Sequence, residues 1–132
     1  MTLAKAKAKL IQMEKGLESF KKGILDNPSE IERDGAIQRF EYSFELSWKP
    51  LKTVLEYLGV EDGKSPRKAF QAGLIHGFID NADQEIWLNM LEDRTQTKHI
   101  YHEEVAISFF THLNEYYKLM FKLLEKLQNE VE

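Results

Sequence analysis

RDGAIQRFEYSFELSWKPLKTVLEYL, Arg33 to Leu58, decides the fold class. Ile37, Phe40, Phe44, Trp48, Leu51, Leu55 and Leu58 recur at steps of three or four, the spacing that lines up side chains along one face of an α-helix. Tyr42 and Leu46 flank that stripe. Pro50 interrupts it chemically, because proline offers no N–H to the Leu46 carbonyl and an interior proline costs about 3 kcal/mol or more. The apolar period still runs through Pro50 in register. The stretch therefore reads as one helix over about Glu30 to Leu58, kinked near Leu46 to Lys49 rather than broken.

The same period extends outward in both directions. Leu3, Ala6, Leu10, Met13, Leu17, Phe20 and Ile24 mark an amphipathic helix over about Leu3 to Leu25. LDNPSE ends it, since Pro28 pushes Asn27 out of the helical region, and Ser29 can cap the helix that follows. GVEDGK forms a loop. Ser65 as N-cap and Pro66 at the first helical position start a short helix reaching about Ile75, weakened by Gly73 and ended by Gly77. Asn81 is the expected cap of a fourth helix, about Ala82 to Thr97, with Ile86, Trp87, Met90 and Leu91 inward. A last helix, about Glu103 to Val131, carries Val105, Ile107, Phe109, Phe110, Leu113, Tyr116, Tyr117, Met120, Leu123, Leu124 and Leu127. No strand alternation, repeat, low-complexity tract or linker interrupts the pattern. The expectation is a single all-α domain over residues 1–132, an up-and-down helical bundle of about five helices, three long and two shorter.

Composition narrows the chemistry. A chain of 132 residues can bury a real core. It contains no cysteine, which excludes a disulfide framework, a cysteine-based zinc site and a thiol nucleophile. The net charge of −4 argues against a broad nucleic-acid footprint, so any RNA contact needs a local basic patch. MTLAKAKAKLIQ lacks the apolar core of a signal peptide, and no apolar run approaches the ~20 residues of a membrane span. A cytoplasmic protein without a membrane segment is the expectation.

One polar stretch holds candidate chemistry. RTQTKHIY, Arg94 to Tyr101, places an arginine, a histidine and a tyrosine between two helical segments. In a continuous helix Arg94 and His99 would not share a face, being rotated by about 140°. A helix ending near Thr97, followed by an extended His99-Ile100-Tyr101, would turn both rings to one side and let them swing toward Arg94. Histidine can move a proton near neutral pH, and arginine can fork onto phosphate, so the cluster suits metal-free phosphodiester chemistry. Thr95, Thr97 and Lys98 can add contacts to the phosphate. A two-fold dimer would bring a second histidine to the same site. The bland reading is a helix end with a C-terminal cation and a satisfied histidine.

Four separated blocks carry a resemblance: Arg33 to Lys52, SPRKAFQAGLI from Ser65 to Ile75, WLNMLEDR from Trp87 to Arg94, and TKHIYHEE. In that order they resemble the HEPN superfamily, nearest the branch of nucleotidyltransferase substrate-binding proteins. The resemblance implies a helical bundle that forms a homodimer with Arg-x4-6-His motifs facing each other, filled here by Arg94 and His99. The chain is also similar to the toxin of toxin–antitoxin pairs with an Arg-x4-His-x-Tyr motif. That similarity implies a metal-independent endoribonuclease acting on RNA such as tRNA, silenced when a minimal nucleotidyltransferase partner adds AMP to the tyrosine, here Tyr101. The alternative is a non-catalytic substrate-binding subunit of a two-component nucleotidyltransferase. A third reading is a structural dimer with a vestigial motif. No cofactor and no metal are implied.

Other residues carry weaker signals. Arg39 and Arg33 could widen a phosphate-binding surface, and surface salt bridges are their plainer role. Arg67 stands first at a helix start, with a ligand role as the alternative. Glu41 and Glu45 read as a solvated helix face. His99, His102 and Glu103 lack further ligands for a metal site. The chain has no Gly-Ser followed by Asp-x-Asp, so nucleotide transfer itself needs a separate enzyme.

Overall fold

A computed structural model describes residues 2–97 and 102–132. Among them the chain forms six α-helices and no strand: α1 (Leu3–Gly23), α2 (Glu30–Tyr57), α3 (Pro66–Ile75), α4 (Gln84–Gln96), α5 (Glu103–Phe110) and α6 (Leu113–Val131). The all-α bundle expected from periodicity is the observed architecture. None of the described helices is long and apolar enough to cross a membrane.

The starts expected at Ser29 and Ser65 are present. Ser29 Oγ accepts from the Glu32 N–H at 3.1 Å while the Glu32 carboxylate accepts from the Ser29 N–H at 2.9 Å, a reciprocal capping box. The Ser29 N–H and hydroxyl hold the Glu32 carboxyl below its usual value. Ser65 Oγ caps α3, and Pro66 occupies its first position. Ser29→Ala is expected to lower unfolding stability by about 1 kcal/mol, measured by urea denaturation; an unchanged midpoint would remove the capping argument.

Gly59 follows the end of α2 and Gly77 the end of α3, both with positive φ. In each case the next residue's N–H reaches back, Val60 to the Leu55 carbonyl and Phe78 to the Gly73 carbonyl, each at 2.8 Å. These are Schellman closures that glycine makes without steric strain. Gly73 has a packing role as well. A Cβ there would meet Leu51 at 3.2 Å and Ile79 at 3.3 Å, so α2 and the chain after α3 close in on bare backbone.

α2 passes Pro50 unbroken, as the continuous apolar register implied, and Pro50 itself is buried. α1 packs along α2 at small residues: Ser43 Oγ donates to the Gly16 carbonyl at 3.3 Å, and Leu46 lies where a Gly16 side chain would be. α6 packs on both. Phe40 sits at the centre, fully buried, with ring contacts to Phe20, Phe44, Phe109 and Tyr116. A second aromatic run, Phe44 to Phe70 to Trp87, joins α2 to α3 and α4.

Three expectations are corrected. The single last helix is two, α5 and α6, separated at Thr111 and His112. There the backbone tightens to three-residue bonds, Thr111 N–H to Ser108 and His112 N–H to Phe109, while Thr111 Oγ1 donates to the Ser108 carbonyl at 2.6 Å. The turn lets Phe109 pack on Phe40 and lets α6 follow α1. Asn81 does not cap α4. Asn81–Asp83 form a 3₁₀ turn, and α4 starts at Gln84 without a side-chain cap. Lys122 of α6 recruits the Asp80 and Asp83 carboxylates, at 2.6 and 2.8 Å, and Lys126 also pairs with Asp80. Lys122 and Lys126 together hold the Asp80 carboxyl down to about 2. Finally, Leu3, Leu58, Val105 and Ile107 were expected on inward stripes and are exposed. Leu3 and Leu58 lie at helix ends, and Val105 and Ile107 lie on the short α5.

Candidate functional site: the end of helix α4

α4 carries Arg94 in its last turn, where a cation also suits the negative end of the helix dipole. Its Nη1 donates to Thr97 Oγ1 at 3.3 Å, and Thr97 Oγ1 donates to the Arg94 carbonyl at 2.9 Å. The Thr97 hydroxyl thus closes a small ring that fixes the arginine on its own helix end. Glu45 of α2 lies 3.9 Å from Arg94 Nη2. Glu45 is itself held, accepting from Trp48 Nε1 at 3.1 Å and pairing with Lys49 at 3.4 Å. Arg94 is 24% exposed along its side chain, and its Nε has no hydrogen-bond partner among the described residues. The guanidinium is therefore oriented and partly desolvated, with its Nε buried.

The neighbouring residue anchors the helix. Asp93 accepts from the buried Tyr116 hydroxyl at 2.5 Å, tying α4 to α6. Asp93, Gln96, Glu104, Ser108 and His112 line a groove between α4 and α5. Two carboxylates make that groove a poor track for a polyanion.

Of the residues singled out from sequence, Arg94 and Thr97 come together. Thr95 Oγ1 bonds its own helix, donating to the Glu92 carbonyl at 2.6 Å. Arg39 donates to the Ser19 carbonyl at 3.0 Å and lies against Gly23, clamping α2 to α1. Arg67 rims a small apolar recess between α3 and α4, beside Phe70 and Trp87. Arg33 is buried and pairs with Glu103 of α5. Lys98, His99 and Tyr101 lie outside the described residues.

Sequence reading missed Glu45 as the partner of Arg94. The available signal was Trp48 and Lys49 at three and four residues beyond it, a donor and a cation on the same helix face. It also missed Asp93, although a tyrosine on a core stripe has a hydroxyl that must find an acceptor.

The all-α bundle fits the class of HEPN-like helical proteins. The chain belongs to the family described as nucleotidyltransferase substrate binding protein like, which it matches over residues 2–129. It is similar to a protein of Thermus thermophilus known from a crystal structure, at 38% identity and a TM-score of 0.82, over 87% of this chain and 98% of that one. None of the curated proteins matches it.

Proposed function

We propose that this chain is the substrate-binding subunit of a two-component nucleotidyltransferase, with the Arg94-to-Tyr101 segment as the place where nucleotide phosphate is handled and Tyr101 as the AMP acceptor. The observation that carries it is the state of Arg94. Thr97 fixes the guanidinium, and the Glu45 carboxylate lies 3.9 Å from it. A site pre-loaded with a carboxylate suits one compact phosphate that can displace it, and disfavours a long polyanion. Family membership supports the same reading, and so does the absence from the sequence of a Gly-Ser and Asp-x-Asp pair for transfer chemistry.

A second reading keeps the motif catalytic. Arg94, His99 and Tyr101 are all present in the motif's order, and the Arg94 side chain keeps 24% of its surface exposed. In that reading a homodimer is a metal-independent RNase. His99 moves the proton and Arg94 stabilises the charge growing on the phosphate. AMP on Tyr101 silences it by placing a bulky anion beside the motif.

Co-expression with a small nucleotidyltransferase followed by intact-mass measurement tests Tyr101, which both readings make the AMP acceptor. A stable mixed complex with AMP on wild type and none on Tyr101→Phe is expected. A complex that never carries AMP removes Tyr101 from the proposal. Incubation of the purified chain with total tRNA in EDTA tests the second reading, which predicts cleavage by wild type and at least about a hundredfold less by His99→Ala. Equal, null cleavage discards it.

A further inference from the structure

Between α3 and α4 lies a recess floored by the buried Phe70, Ile79 and Trp87 and walled by the half-buried Leu74 and Leu91. Its volume is about 40 Å³, far below the roughly 300–1,000 Å³ of small-molecule sites, so it suits the tip of one side chain rather than a nucleotide. Arg67 stands on its rim, and no carboxylate lines it. Among the described residues Arg67 joins no ion pair. The hollow is thus complementary to an apolar tip with an anion beside it.

α4 itself carries that combination. Leu88 projects from it, 47% exposed. Glu85 and Glu92, both exposed, stand three residues before it and four after it. At about 100° per residue they lie about 60° and 40° round the helix on one side of Leu88. Leu91 and Gln84, which line the recess, lie by the same angles on the other side. The outward face of α4 therefore has an apolar knob at its middle, carboxylates on the flank away from the recess, and the recess itself on the flank toward α3.

We propose that this face is an interface between two copies of the chain, with α4 of each copy lying antiparallel in the α3–α4 groove of the other. Leu88 of one copy enters the recess of the other. The two-fold rotation that seats it also reverses the flanks of the incoming helix, which turns its Glu85 and Glu92 toward the α3 it covers, where Arg67 stands. One operation meets the apolar and the charged requirement together. That the chain supplies both halves of the fit selects a second copy over an unrelated partner. Leu88 then lies close to the axis. Arg94 is six residues further along α4, so the two arginines stand about 18 Å apart in the helix direction. Each keeps a site of its own, unlike the motif-to-motif pairing that the resemblance implies. The interface is argued from α3 and α4 alone and does not depend on the function proposed above.

Sedimentation velocity of the purified full-length chain, at concentrations up to about 100 μM, tests it. A dimer is expected. Leu88→Asp and Arg67→Glu are each expected to weaken self-association at least about tenfold. Both side chains are exposed, so circular dichroism melts close to wild type are expected to exclude unfolding as the cause. If Leu88→Asp does not fold, Leu88→Gln replaces it. A charge swap tests the pairing. Arg67→Glu chains repel one another at this face, and so do chains with both Glu85→Arg and Glu92→Arg. An equal mixture of the two restores both contacts and is expected to form mixed dimers within about threefold of wild-type affinity. A chain that stays monomeric overturns the interface. So does a dimer that neither variant weakens, since its contact then lies on another face, and so does a mixture that pairs no better than its components.

Discussion

Replacing Phe40 by alanine is expected to lower unfolding stability by about 3–5 kcal/mol, the range for deleting a fully buried aromatic ring. Phe40 is wholly buried and contacts rings from α1, α2, α5 and α6. Loss of its ring removes apolar burial and leaves a void that four helices would have to shift together to close. Partial collapse is thus the rule, and the cavity term adds to the transfer term. Urea denaturation of wild type and variant gives the number directly. A difference under about 1 kcal/mol would mean that the bundle repacks freely and that Phe40 is not its centre. Phe40→Leu, which keeps most of the volume, is expected to lose clearly less.

Tyr116→Phe is expected to cost about 1.5–3 kcal/mol near neutral pH, the range for a hydrogen bond to a charged partner. The substitution keeps the ring and removes only the hydroxyl that donates to Asp93 at 2.5 Å. Its pH dependence has a definite sign. Burial, and after it the Asp93 carboxylate, push the Tyr116 phenol above its ordinary value of 10. A raised folded value means that the fold favours the protonated phenol. The contribution is whole below pH 10 and is lost as pH rises further, when the unfolded phenol ionises and the folded one resists. Wild-type stability should fall more steeply than that of Tyr116→Phe above pH 10. Parallel curves would show that the hydroxyl is not held in this way. Because Asp93 precedes Arg94, the same variant is also expected to loosen the end of α4, visible as faster amide exchange there.

Much of the scaffold was legible in the chain. The stripe from Ile37 to Leu55, Ser29 as the cap of α2, and Ser65 followed by Pro66 each appear where they were read. These signals are local: each depends on residues three or four positions apart, and helical geometry sets that distance. The split at Thr111 was not legible, because the apolar period runs through it and the break serves the different partners of α5 and α6. The cap expected at Asn81 failed for a related reason. Lysines of α6 draw the Asp80 and Asp83 carboxylates across the bundle, and nothing near Asn81 announces them.

At the candidate site the division is sharper. The sequence alone marked Arg94, Thr97, His99 and Tyr101 as a unit of residue types and spacing, and it placed that unit at a helix end. Tertiary structure alone decided what the arginines face: Glu45 opposite Arg94, and Glu103 opposite Arg33. Charge pairs over such sequence separations have no period and no motif. They are chosen by which helix faces pack together, and packing is a property of the whole apolar surface rather than of any window along the chain.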